Sequence, residues 1–565
     1  MSGMPLWSCV CLAAMVRIQA SLPQTGEKPD GETLYNGIRL PAAWPPRVPL
    51  SREPMALPYL KSPPEVIPID VGRQLFVDDF LVQETSLRRV FHRPEAYSGN
   101  PVLSPDQPWE KQGKSPVAMV FSDGVWWDPS AGRFRMWYMG GLFNATCMAE
   151  SSDGLAWRKP ALDIEPGTGV VVRAGRDSST VWLDPGEKEP GRRYKMLMVS
   201  GFQYVLRESA DGIHWSVPAA VSTKCNDRST VFYNPFRKVW VLSIRSWGMP
   251  RSRKYREHAD LRKALEWSGP DLVPWVGADR LDPHHPDPEH RAIEPQLYNL
   301  DAVAYESLLL GMFEIHRGPE NDKCMTAGLP KTTELSFAYS RDGFHWHRPD
   351  RRAHIPAERR DVWDRGYVQS IGNICTVRGD KLWIYYTGFQ GDSKKLSHNW
   401  LQNGMYDRGA TGVALLRRDG FASLDAGDAL ATLTTRPVTF SGRRVFVNAA
   451  TTAGELRVAI LDEAGQPIAP FTTENCRSIR ADNTLEPVTW SGAEDVSALR
   501  GKPVRFRFTV RNGSLYAFWV SRDDTGRSDG YVAGGGPGFS EMIDTAGRAA
   551  LDAERRLGVS KTHPY

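Results

Sequence analysis

Apolar and polar positions along this chain alternate in short β-type runs rather than at helical spacing. Residues 125–141 show the unit. Two runs rich in Val, Trp, Met and Tyr are joined across Asp128-Pro129, the sequence form of a β-hairpin. The same hairpin returns at 181–185 with 194–200 and at 231–235 with 239–243. Weaker copies lie at 303–313 and 374–386, which makes five. A second element sits between them, Asp-Gly-x-x-Trp, at Asp153 to Trp157, Asp211 to Trp215 and Asp342 to Trp346. In each, a strand ends, Asp-Gly turns the chain and a Trp falls on the next strand. Two hairpins per unit predict a four-stranded sheet. Repetition over roughly 50 to 75 residues predicts a five-bladed β-propeller, with an N-terminal strand free to close the ring. A jelly roll or two tandem sandwiches is the structural alternative, which the repeated Asp-Gly turn disfavours.

The flanking segments read differently. Residues 69–430 are assigned to the propeller, which begins with an apolar run at 74–82. Within it, 252–267 has the spacing of one inserted helix, and 269–290, dense in Pro, Asp and His, reads as a loop over one face. Residues 431–523 alternate without the repeat and predict a separate antiparallel β-sandwich, so the fold class expected is all-β. Residues 22–68 read as an extended arm and 524–565 as a poorly ordered tail. Residues 1–21 hold a short apolar stretch, too short to span a bilayer, that suits a signal peptide although positive charge does not precede it; a secreted or periplasmic location is expected.

Composition narrows the function. The 565 residues are 41% hydrophobic and 24% charged, with a formal net charge of +4. That balance, without a compact Lys/Arg block, argues against nucleic acid as a partner, and no run suggests a membrane span. Nineteen Trp suit stacking on sugar rings, although most of them belong in cores. Cys147, Cys225, Cys324, Cys375 and Cys476 lack the spacing of a metal site or a disulfide framework. Asp282-Pro-His-His-Pro-Asp287 reads as a surface loop rather than a metal site, and no cofactor is expected.

In a propeller, polar residues just ahead of each inner strand converge on the central channel. Asp177 and Asp227 occupy the same place ahead of two successive hairpins, and Asn299 takes it in the next, flanked by Glu294 and Asp301. The returning strands end at the same face, which adds Arg245 and Trp247 from one unit and Glu314, His316 and Arg317 from another. Carboxylates crowded in a partly dry pocket divide into a protonated donor and an ionised partner, the division that glycoside hydrolysis needs. Asp177 and Asp227 could equally cap their own strands. Arg228, Arg245 and Arg317 suit a carboxylate or sulfate on a sugar, or serve to neutralise buried acids. Asp128 and Asp184, ahead of Pro, and Asp153, Asp211 and Asp342, ahead of Gly, are read as turn residues.

Strands ending in Met-Trp-Tyr-Met-Gly-Gly and the segment Asn100-Pro-Val-Leu103 resemble the five-bladed propeller glycosidases of the invertase/levanase and arabinanase/xylosidase superfamily. The resemblance covers about 75–523 and implies three acids from successive blades. By position, Asp177 and Asp227 take the roles of nucleophile or base and stabilising acid, and Glu294 or Glu314 that of the proton donor. The chain departs from the invertase pattern in lacking Trp-x-Asn-Asp-Pro-Asn-Gly and Arg-Asp-Pro, which argues against fructan. The function expected is hydrolysis of a poly- or oligosaccharide; a non-catalytic sugar-binding propeller, or phosphorolysis or lyase chemistry on the same scaffold, are the alternatives.

Overall fold

The computed structural model describes residues 31–556 apart from 248, 250 and 401, and the expected signal segment lies outside the described residues. The protein is nearly all β. Five sheets of four principal strands follow one another in the chain. The first holds Ala118–Asp128, Arg133–Gly140, Ala145–Ser151 and Val170–Arg173, and the second Ser179–Leu183, Tyr194–Ser200, Gln203–Ser209 and Ala220–Lys224. The third holds Thr230–Asn234, Val239–Ser246, Ser252–His258 and Val273–Gly277. In the fourth, Gln296–Glu306, Leu308–Gly318 and Thr332–Ser340 are joined by Tyr531–Val532, and in the fifth Gly366–Gln369, Lys381–Phe389 and Gly409–Arg417 are joined by Glu95–Ala96.

Each sheet touches the next through its first strand, and the fifth touches the first. Trp126 Nε1 donates to Val181 O at 2.8 Å, Ser178 Oγ to Ser229 O at 3.0 Å and Thr230 Oγ1 to Leu300 O at 2.9 Å. Ser370 Oγ reaches Asp301 at 2.6 Å, and the backbones of Ser122 and Ser370 bond at 3.1 Å. Edge-on ring contacts, Trp126 on Trp182 and Trp182 on Trp240, fill the space between the first three sheets. The Asp-Gly turns form as the spacing predicts. Asp153 Oδ1 accepts from the backbone N–H groups of Leu155 and Ala156, and Asp211 and Asp342 do the same two and three residues on. Asp128 and Asp184 are also occupied, by Tyr194 and Lys195.

Four expectations need correction. The helix read over 252–267 is a strand, Ser252–His258, with a single helical turn at Leu261–Ala264. Lys254, Arg256 and His258 alternate along one face of the strand while Arg253 and Tyr255 are buried on the other, a two-residue period that a short window confuses with helical spacing. The loop read at 269–290 contains the fourth strand of the same sheet, Val273–Gly277. The apolar run at 74–82 leaves the ring: Gln74–Leu75 and Val82–Thr85, with Arg88–Phe91, pair with the C-terminal strands. Finally, 524–556 is folded. Gly534 exchanges backbone hydrogen bonds with Trp127 and Cys375, and Ala533 donates to Ala304, so this segment crosses the far ends of the inner strands.

Two further sheets lie beyond the ring. One orders Asp482–Pro487, Arg444–Ala450, Gly513–Ser521, Ala422–Ala426 and Arg88–Phe91; the other orders Glu455–Leu461, Arg505–Arg511, Ala431–Thr435 and Val82–Thr85. Phe76, Phe506, Phe508 and Phe518 pack together in their shared core. No helix among the described residues is long and apolar enough to cross a membrane.

Candidate functional site

The near ends of the inner strands meet in a buried polar layer. A register shift between Met119 and Gly124 bulges the first strand, and Ser122 sits there at φ 67°, in the left-handed region. Ser122 is thereby aimed at the fourth sheet, where its hydroxyl donates to Asp301 at 3.0 Å. Asp301 also accepts from Asn299 at 3.0 Å. Burial raises its pKa against the pull of Ser370, Arg228, Ser122 and Asn299. Beside it, Arg228 Nη2 lies 3.2 Å from Glu314, whose side chain has no exposure. Burial first, and the neighbouring Asp301 second, push the Glu314 carboxyl up to about 7, against the lowering by Arg228. Asp123 and Arg176 form a buried bidentate pair at 2.8 and 2.9 Å.

Nearer the surface, less buried side chains follow. Asp177 is half-buried, and its Oδ1 accepts from the backbone N–H groups of Ser178 at 2.7 Å and Arg228 at 2.8 Å. Asp227 pairs with Arg245. The Arg245 guanidinium lies 4.2 Å from the ring centroid of Trp247, which is 62% exposed, and Arg251 lies 3.8 Å from that of Tyr298. Burial and then Arg251 push Arg245 down to about 10. Lys331, itself buried, donates to Tyr298 Oη at 2.9 Å and Tyr406 Oη at 3.1 Å. His316 packs edge-on against Tyr298, and burial with Lys331 and Arg251 pushes its pKa well below 6.5, so the ring is neutral.

Asp177, Asp227, Arg228, Arg245, Trp247, Asn299, Asp301, Glu314 and His316 therefore gather at one end of the ring. Glu294 does not. It is exposed on the approach to its strand and bonds Arg52 at 2.6 Å, because the strand proper starts two residues later, at Gln296. Arg317 points away too and pairs with Glu334 at 2.8 Å. Sequence reasoning missed Ser122, Arg251, Tyr298, Lys331 and Gln369. Tyr298 adjoins Asn299 but reads as an apolar strand position, and Lys331 and Arg251 lie off the repeat, so position offered no signal for them.

Several buried polar atoms here have no hydrogen-bond partner among the described residues: Nε and Nη1 of Arg228 and Arg251, Nδ1 of His316, Oε1 of Glu314 and both amide atoms of Gln369. Such groups are expensive to leave unmet and suit a polar ligand. No cluster of three or more metal-ligating side chains occurs among the described residues. Asp282, in the Pro-His-His loop, is held by Arg348. A cavity of about 580 Å³ at the far ends of the inner strands, lined by Trp182, Asp184, Lys195, Tyr233 and Trp240, is separate from these acids.

No protein-family model matches the chain, and no curated protein matches it. Solved structures do. An N-acetylgalactosamine deacetylase from F. plautii, in complex with blood group B trisaccharide, is 14% identical over 62% of this chain and 97% of its own, with a TM-score of 0.35. A β-1,2-mannobiose phosphorylase from Listeria innocua is 12% identical over 58% of this chain and 97% of its own, with a TM-score of 0.37. A glycoside hydrolase family 43 arabinoxylan arabinofuranohydrolase from Bacillus subtilis, in complex with cellotetraose, is 9% identical over 76% of this chain and 99% of its own, with a TM-score of 0.33. Glycoside hydrolases stand among the structural neighbours of this chain.

Proposed function

We propose that the five sheets are blades of one propeller, that the two sheets beyond them form its sandwich, and that the polar mouth hydrolyses a glycosidic bond in an oligo- or polysaccharide carrying an anionic group. The observation that carries this reading is Arg228, whose backbone N–H bonds Asp177 and whose guanidinium bonds Glu314. Two carboxyl groups from different sheets thereby meet across one residue, one half-buried and one in a dry layer. Glu314, with its carboxyl at about 7, is protonated in a large share of molecules at neutral pH, and in that form donates its proton to the leaving oxygen. Asp177 faces the anomeric carbon and offsets the positive charge that develops there. Arg245 and Arg251, beside the exposed ring of Trp247, take the anionic group of the sugar, and a secreted or periplasmic setting would supply such glycans.

The test is turnover on a glycan panel that includes uronate and sulfate members. Glu314→Gln and Asp177→Asn should each reduce kcat by roughly a hundredfold or more while the melting profile stays that of the wild type. Glycan binding without product in the wild type would replace this reading with a non-catalytic sugar-binding propeller.

A further inference from the structure

Among the described residues, the ammonium of Lys331 hydrogen-bonds phenol oxygens and pairs with no carboxylate. A buried cation without a counter-charge is strongly unfavourable, so its surroundings supply a negative charge or remove the positive one. Three phenols surround it. Tyr298 Oη accepts from Lys331 and also from Tyr367 Oη, at 3.2 Å, while Tyr406 Oη takes the second bond of the ammonium. A second cation, Arg251, lies over the Tyr298 ring, and His316 at its edge is neutral. The groups facing Tyr298 from every packed element are thus three cations, Lys331, Arg251 and Arg245, with two phenols and one neutral imidazole. The carboxylates act on its neighbours, Asp177 on Tyr406 and Glu314 on Tyr367, and raise both.

We propose that Tyr298 is a third catalytic group of this mouth, a phenolate held by Lys331 that accepts the proton of the attacking water. This rests on the hydrolytic reading above. Burial alone would raise the phenol, but Lys331, then Arg251, then the hydrogen bonds from Lys331 and Tyr367 outweigh it and bring Tyr298 down to about 7, whereas Tyr367 and Tyr406 are pushed up. In the reaction, a water O–H bond breaks as its oxygen bonds the anomeric carbon, and the proton passes to Tyr298 Oη. The bond from that carbon to the leaving oxygen breaks, and the leaving oxygen takes the proton of Glu314. Solvent then returns the phenol proton to the Glu314 carboxylate, and no other reactant is consumed.

The phenolate absorbs in the near ultraviolet, so the titration is read without substrate. The wild type should show one tyrosine ionising near pH 7. That step should vanish in Tyr298→Phe and move above about pH 9 in Lys331→Met, towards the ordinary phenol range. With a turned-over glycan, Tyr298→Phe should lower kcat by roughly a hundredfold with KM little changed, and Lys331→Met should shift the acid limb of the pH profile upward. A wild type with no phenol titrating below about pH 9, or Tyr298→Phe at the wild-type kcat, overturns the assignment. If Glu314→Gln is inactive while Tyr298→Phe is not, only the role of Tyr298 falls; if both turn over normally, the placing of the chemistry at this mouth falls with it.

Discussion

Replacing Arg418 with Met should cost about 3–5 kcal/mol of stability, the range for breaking a buried ion pair from one side. Arg418 Nη2 lies 3.1 Å from Glu306 and 2.9 Å from Asp544, while Arg73 bonds Asp419 at 2.9 Å, and all five side chains are at most 1% exposed. This cluster ties the fourth sheet, the end of the fifth, the segment before residue 74 and the C-terminal segment into one unit. At an effective dielectric near 20, two contacts at these distances contribute roughly 5 kcal/mol each; the guanidinium regains several kcal/mol of hydration when it is no longer buried. The remainder is the net loss. Removing the charge leaves three buried carboxyls facing Arg73 alone. Burial already raises Glu306, and the substitution raises it further. A folded pKa above the unfolded value of about 4.3 gives stability that is complete below that value and lost as pH rises through the folded one. The variant should therefore lose more stability at pH 8 than at pH 5. Urea unfolding at both pH values measures this. A loss under about 1 kcal/mol, or the same loss at both, would refute the reasoning.

Two other substitutions probe separate parts of the structure. Gly212 has φ 75°, and a Cβ there would lie 2.5 Å from the Trp137 ring, so Gly212→Ala should destabilise the second sheet by at least 1 to 3 kcal/mol, read as a fall in the urea midpoint. Arg251→Gln should weaken binding of a uronate or sulfated glycan roughly tenfold or more in calorimetry and leave a neutral analogue unaffected; equal weakening of both would remove the anionic assignment.

What the chain reveals on reading, and what it conceals, follows from the range of the interactions involved. The Asp-Gly-x-x-Trp turns and the hairpin strands are local, fixed by Asx hydrogen bonds two and three residues away, and they form where their motifs stand. That Asp177 and Asp227 lie at one mouth follows from equal register in successive sheets, a property of the repeat. Pairings across the chain leave no such mark. The apolar run at 74–82 carries no sign that it joins strands more than 300 residues later. Glu294 stands in the sequence as an alternative to Glu314 because it precedes Asn299, and nothing local marks that the inner strand begins only at Gln296. Tyr298, Arg251 and Lys331 become a charged cluster only when the loop before residue 252, the fourth sheet and the turn at Gly404–Tyr406 are brought together.

The most direct test of the claim that Glu314 is the proton donor is the pH dependence of kcat/KM on a glycan that the wild type cleaves. A donor with its carboxyl at about 7 predicts activity that declines as pH rises through that value, with the decline absent from whatever activity remains in Glu314→Gln. A rate that stays level from neutral pH to about pH 9, or an unchanged alkaline limb in the variant, would contradict it.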